Sequence, residues 1–358
     1  MAEKREALDA AISECQRFLA EVSTDSGDIH LVACINQLVS RLQQIEVDPS
    51  ITVELAGEVM RRMMRSTLRS ARGQGDDFPI YPSGLRKLDD YIQGFAPGEI
   101  AIFAARPGIG KSILATRLAD SFGQRGCPGA LSWLEDGAPA FGRRAIAQRA
   151  RVKATLLRQG RPGSIPEYLR AERIIEASAK WPIWLVTSDR QMDVRQLCGL
   201  VRRLAAEREI KWMIVDHLGE VKLHISDFDK RNYAIGDAIR AFRDACREVG
   251  VCPILFVQEN RKREEKGYSN SQARLSYIAD SSEIEKAARI VGFLSTNTEP
   301  EGSRLQSKFT IDISKNTNGP RGKVELDYYP EFMTVDDPQP ITFEAVTNLN
   351  DFVKGKKT

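Results

Sequence analysis

The sequence predicts an α/β fold: a mainly parallel sheet covered by helices on both faces, preceded by a small all-α N-terminal region. Two observations carry that prediction. From residue 79 onward, short apolar runs rich in branched side chains alternate with longer segments of helical periodicity. The runs are EIAIFAA (99–105), GALSWLE (129–135), PIWLVTS (182–188), KWMIVD (211–216), PILFVQ (253–258), RIVGFLS (289–295) and KFTIDIS (308–314). Near-continuous apolar strands separated by helices belong to parallel sheets, because the crossover helices bury both faces. Up to residue 72, by contrast, apolar residues recur only at helical spacing.

Taken in order, REALDAAISECQRFLAEV, IHLVACINQLVSRLQQI and ITVELAGEVMRRMMRSTLRSA each place apolar residues on one helical face, which gives a helical region over 1–72. Glycine, proline and acid then gather in RGQGDDFPIYPSG, which predicts a linker over 73–82. The main domain follows over 83–337, with a polar, weakly patterned tail over 338–358. Near its end KFTIDIS and KVELDYYPEFMTV flank a polar turn, as in a hairpin.

Composition narrows the function classes. The chain has 358 residues, 42% hydrophobic and 28% charged, which is globular and long enough for a sizeable core. A formal charge of +3 is too small to argue for a polyanionic partner on its own. Six cysteines show no CxxC pair, so reduced thiols are expected rather than a disulfide framework. The three histidines are too dispersed for a zinc site. No signal peptide and no apolar run of about 20 residues is present, so no membrane span and a cytoplasmic location are expected.

Chemistry enters at ARPGIGKS, which follows EIAIFAA and opens the helical segment ILATRLADSFGQRG. Strand, glycine-rich loop and helix in that order form a phosphate-binding loop. Gly108 and Gly110 let the backbone curl around an anion at a helix N-terminus. Lys111 would reach the β- and γ-phosphates and Ser112 would ligate magnesium. The usual leading glycine is Ala105 here, and the third glycine of a dinucleotide fingerprint is missing. Glu135 closes the next apolar run, where a carboxylate can polarise a water; taken alone, such a glutamate is more often solvated. Asp216 ends KWMIVD, the placement of a magnesium-organising acid, with a helix N-cap as the alternative. Gln258 ends PILFVQ, where an amide could sense the γ-phosphate.

These pieces in this order resemble the motor domain of DnaB-family replicative DNA helicases, hexameric RecA-like P-loop ATPases. The resemblance covers about residues 79–337. It runs from PSGLRKLDDYIQGFAPGEIAIFAARPGIGKS through SWLE, WMIVDHLG, VQENR and DSSEIEKAARI to SKNTNGP. It implies ATP and Mg2+ as cofactors, with Arg106, Gly108, Gly110, Lys111 and Ser112 in the nucleotide site. Glu135 would activate water, Asp216 would organise the metal and Gln258 would act as the switch. Single-stranded DNA is the implied partner, held in a central channel by the segment Arg261–Glu285. Candidates there are Asp280 and Ser282 by position, and Arg261, Lys262 and Arg263 as side chains for phosphate contact, with a solvated loop as the alternative. A homo-oligomer, as a hexamer, is implied as well, with a primase or helicase loader as a further partner. The short helical region resembles the compact phage or plasmid type, its last helix docking on a neighbour.

In the family a lysine and an arginine from the hairpin enter the neighbouring subunit's ATP site. Here the lysine is Lys315, the arginine position is Thr317, and Arg321 is the expected substitute. The expected activity is therefore an ATP-driven, ring-forming helicase that unwinds duplex during replication. The alternatives are an ATPase that uses nucleotide as an assembly switch without unwinding, and a P-loop ATPase acting on a small substrate.

Overall fold

A computed structural model describes residues 54–74, 76–161, 163–222, 231–259, 286–297 and 307–338, with backbone alone for 231–234. The first two expected N-terminal helices, the tail beyond 338 and the DNA-contact candidates Arg261, Lys262, Arg263, Asp280 and Ser282 lie outside these residues. The chain divides into two compact units, residues 1–76 and 77–358.

In the first unit, α1 spans Ala56–Ala71, starting later than the expected 51. Glu58 in its first turn and Arg69 in its last complement the helix dipole. Arg62 reaches back past the N-terminus to grip both carboxylate oxygens of Glu54, at 2.9 and 2.7 Å. Leu55, Met60, Met64 and Leu68 are exposed.

The second unit is built on one nine-stranded sheet. Its strands are β1 (Ala101–Ala105), β2 (Gly129–Trp133), β3 (Ile183–Val186), β4 (Trp212–Asp216), β5 (Cys252–Gln258), β6 (Ile290–Asn297), β7 (Ser307–Asn316), β8 (Gly322–Tyr329) and β9 (Thr334–Asp336). They lie in the order β3-β2-β4-β5-β1-β6-β7-β8-β9. The first six are parallel and the last three antiparallel. The helices of this unit are α2 (Arg86–Ile92), α3 (Lys111–Gln124), α4 (Ala138–Ala150), α5 (Ala154–Arg158), α6 (Ile165–Ser178), α7 (Val194–Arg208) and α8 (Arg231–Glu248).

Every expected strand is present, with two corrections. The second run stops at Trp133, so Glu135 stands two residues beyond the strand rather than at its tip. KVELDYYPEFMTV is not one strand: Pro330 has no N–H for the ladder and starts a short 3-10 turn, after which β9 folds back on β8.

Period-two alternation sorts the central strands into two buried layers. Ala101, Phe103, Ile214, Ile254 and Phe256 face one layer, against Leu114, Leu118 and Phe122 of α3. Ile102, Ala104, Met213, Val215 and Leu255 face the other, against Val201 of α7 and Phe242 of α8. Each such side chain contributes about 1.5–3 kcal/mol on burial. Asp216 and Gln258 continue the phase of the α3 layer, because they follow Ile214 and Phe256 by two residues.

The turn between β7 and β8 is pinned to its surroundings. The Asn316 amide donates to the Tyr91 and Pro320 carbonyls at 2.7 and 3.0 Å. The Thr317 N–H and hydroxyl both donate to the Arg289 carbonyl, at 3.1 and 3.2 Å. The Asn318 amide donates to Glu99 at 2.7 Å. At Gly319 a Cβ would sit 2.5 Å from the Tyr91 carbonyl oxygen, so only glycine allows this close approach.

Candidate nucleotide site

Parallel pairing lines up the carboxyl ends of adjacent strands, the edge where open α/β sheets bind ligands. Ala105 of β1 pairs with Gln258 of β5, and Trp133 of β2 pairs with Asp216 of β4. The alignment continues past the strands. The Glu259 N–H donates to the Ala105 carbonyl at 3.0 Å, and the Leu134 N–H donates to the Asp216 carbonyl at 3.2 Å. Four segments remote in sequence thereby end side by side.

The loop from β1 to α3 turns at Gly108 (φ +80°) and Gly110 (φ +112°). Gly110 is the residue before α3, and no side chain caps the helix there. Its first N–H groups are thus left without a side-chain acceptor, the condition for anion binding at a helix N-terminus. A Cβ at Gly110 would come within 3.2 Å of the Phe309 ring and 3.3 Å of Ile113, so the loop rests directly on the core.

Lys111 is buried at the foot of this loop. Burial pulls its ammonium pKa below the usual range, and the carboxylates of Asp216, Glu135 and Glu259 oppose that pull. Asp216 is 4% exposed. Burial pushes its pKa up, against the Ser112 hydroxyl that donates to it and the charges of His217, Lys111 and Arg144. Its Oδ1 is buried without a hydrogen-bond partner among the described residues. A buried carboxylate oxygen left open beside a serine hydroxyl and a lysine suits a hard cation carrying phosphates. Among the described residues no three His, Cys, Asp or Glu side chains gather as a protein-built metal cage.

Glu135 is exposed, with Oε2 3.4 Å from Nε2 of the buried His217. Gln258 is exposed at the end of β5. Arg106 is exposed in the loop, its Nε 4.0 Å from the Glu259 carboxylate. Sequence reasoning missed three neighbours: His217, Glu259 and Arg144. The guanidinium of Arg144 lies 4.8 Å over the Trp133 ring and 3.9 Å from Asp136. All three adjoin residues that the motifs marked or follow Glu135 on α4, which was the available signal.

Lys315 is half-buried and Arg321 exposed, at the far end of the β7–β8 hairpin. Phe309, near the start of β7, is the residue against Gly110. Six further residues of extended strand place Lys315 about 20 Å along the sheet from its own phosphate loop.

Residues 81–337 match the family model described as the DnaB-like helicase C terminal domain. The replicative DNA helicase DnaB of Treponema pallidum is 28% identical over 264 residues, which is 73% of this chain and 56% of that protein. The chain thus spans about half the length of that curated relative. Among solved structures, an isolated ATPase domain superposes with a TM-score of 0.67 at 20% identity, covering 80% of this chain and 100% of that one. A DnaB-like replicative helicase, described with its interactions with primase, gives 0.65 at 19% identity, covering 94% of this chain and 77% of that one. At such identities the structures speak for the fold, a RecA-like sheet with its helices. With more than two thirds of its length inside the family model, the chain belongs to the DnaB-like helicase C-terminal domain family.

Proposed function

We propose that this chain is the ATP-driven motor of a ring-forming replicative DNA helicase that translocates on single-stranded DNA and unwinds duplex. The single observation that carries the reading is the open Oδ1 of buried Asp216 beside the Ser112 hydroxyl and Lys111, under a glycine loop at an uncapped helix N-terminus.

In this reading Arg106, Gly108, Gly110, Lys111 and Ser112 hold the nucleotide, and Ser112 and Asp216 hold Mg2+. ATP with Mg2+ supplies the phosphoanhydride whose cleavage drives the motor. Lys111 neutralises phosphate charge from a buried position, where a cation is worth more than in water. Glu135, exposed at the mouth of the site, accepts the proton of the attacking water. Gln258, on the α3 face of β5, senses the γ-phosphate and passes its loss into the segment that follows. That segment carries Arg261, Lys262, Arg263, Asp280 and Ser282, the proposed contacts to single-stranded DNA.

Lys315 and Arg321 serve the site of a neighbouring copy. Their separation of about 20 Å from their own phosphate loop supports a role in trans, and hence a homo-oligomer, as a hexamer. The exposed Met60, Met64 and Leu68 of α1 fit a docking helix at the end of the 1–72 region, followed by the 73–82 linker. A primase or loader as partner, and a cytoplasmic location, belong to the same reading. Among the described residues no helix is long and apolar enough to cross a membrane.

One observation favours a second reading, an ATP-dependent assembly switch without unwinding. Thr317, standing where the family has its arginine, is uncharged and bonded in place to the Arg289 carbonyl. A forked-duplex unwinding assay beside ATPase measurement with and without single-stranded DNA separates the two. The motor reading expects DNA-stimulated turnover and unwinding, both abolished by Lys111→Ala and by Glu135→Gln. Unwinding that survives either substitution overturns it, and stimulated turnover with no strand separation establishes the switch.

A further inference from the structure

We propose that His217 is a positioning residue for hydrolysis, its Nε2–H holding the Glu135 carboxylate in place at the mouth of the nucleotide site. The inference rests on the reading of Glu135 as the water-activating base and adds a residue to it.

Three facts define the imidazole. It is 5% exposed, although it follows the last residue of β4 at the rim of the site. Its Nδ1 accepts the Gly219 N–H at 3.1 Å, closing the short 3-10 turn Leu218–Glu220. A ring whose Nδ1 accepts carries its proton on Nε2, so Nε2 is a donor. That donor faces two carboxylates, Glu135 Oε2 at 3.4 Å and Glu220 Oε1 at 3.9 Å. The nearer one is on the segment just past β2, and its own side chain is 59% exposed.

Glu135 therefore hangs from a short segment beyond its strand, while His217 is fixed by burial and by Gly219. An exposed glutamate with freely rotating torsions spends most of its time away from any one water. A buried, oriented N–H restricts it and leaves its second oxygen for the water. Contacts of this kind are commonly long in ligand-free sites and tighten when substrate is present.

Substitutions that each keep one half of the imidazole separate positioning from mere structure. In His217→Asn the amide oxygen takes the place of Nδ1 and can still accept from Gly219, but nothing reaches Glu135. In His217→Gln the amide nitrogen takes the place of Nε2 and still donates, while the Gly219 contact is lost. If His217 positions Glu135, Asn lowers kcat for ATP about tenfold with KM within twofold, the loss expected for one hydrogen bond at the reacting centre. Gln then stays within about threefold of the native rate. Glu220→Gln stays within about twofold, because Glu220 only shares the donor. Binding of a fluorescent ATP analogue and the melting temperature confirm that each variant is folded and loaded.

The reverse order, with Gln slow and Asn near native, shows that the imidazole only builds the turn and overturns the proposal. So does an Asn variant at the native rate, or a Glu220→Gln variant that copies the Asn loss. Glu135→Gln is run alongside: if it turns over at the native rate, the base assignment itself has failed. If it is inactive while the Asn–Gln order is reversed, only the role of His217 has failed.

Discussion

Replacing Asp216 by asparagine should make the ligand-free protein more stable while removing its response to magnesium nucleotide. The side chain is 4% exposed, and burial is the largest influence on its carboxyl, raising the pKa despite Ser112, His217, Lys111 and Arg144. A carboxyl with a folded-state pKa above its unfolded value favours folding fully only below the unfolded pKa. That contribution is lost as pH rises through the folded value. At neutral pH the ionised group is therefore a net cost to the fold. Asparagine keeps the shape, removes the charge and relieves part of the penalty of a buried, unpartnered anionic oxygen, about 1–3 kcal/mol. For a domain of this size that is worth roughly 2–4 °C in melting temperature per kcal/mol. Differential scanning fluorimetry in EDTA should show the variant melting higher at pH 7.5, with the gap closing as pH falls toward the carboxylate range. Adding Mg–ATP at about 100 times its Kd stabilises the native protein by about 2.7 kcal/mol and should leave the variant nearly unmoved, so the order inverts. A variant that melts lower in EDTA would mean that attraction to Lys111 outweighs burial. One that gains as much as the native protein from Mg–ATP would remove Asp216 from the metal site. Either result refutes the reasoning.

Gly110→Ala should weaken nucleotide binding more than Gly108→Ala, measured by titration with a fluorescent ATP analogue. Both residues have positive φ, at a cost of about 1–2 kcal/mol for alanine, but only at Gly110 does the new Cβ also press on Phe309 and Ile113. Arg149→Ala should lower stability by about 3–5 kcal/mol in denaturant melts. Its guanidinium bonds the buried Asp120 carboxylate at 2.6 Å, donates to Ser178 at 3.1 Å and lies 4.9 Å over the Trp181 ring. Restoring most of that loss with Asp120→Asn in the same chain would show that the stranded carboxylate is its cause.

The parts of the site that could be read from the sequence are those whose chemistry lies within one contiguous stretch. ARPGIGKS states its own geometry, because two glycines with positive φ and a lysine at a helix start need no distant partner to be understood. Asp216 was legible as the acid closing an apolar run, and the alternation of β4 fixes its face as well. Glu135 was found in sequence but misplaced in space, since apolarity continues through Leu134 after the ladder has ended at Trp133. The single strand expected across 323–335 failed for a local reason that was visible, Pro330, whose missing N–H outweighed the alternating pattern around it.

What could not be read is the company each residue keeps across strands. His217 is one letter after Asp216, yet its chemistry depends on the pairing of β2 with β4, which brings Glu135 to its Nε2. Glu259 follows the exposed Gln258 and is nevertheless buried, because its N–H extends the β1–β5 pairing and carries the chain inward. Arg144 reaches Trp133 and the surroundings of Asp216 only because α4 packs beside the end of β2. Register decides these contacts, and register is a property of two strands at once, so no single stretch encodes it. The consequence is chemical. The motifs supply one buried lysine and one buried acid, whereas the folded edge holds Lys111 against Asp216, Glu135 and Glu259 together. An excess of carboxylate around an open oxygen is what makes the ligand-free edge costly, and a cation arriving with phosphates is the partner that relieves it.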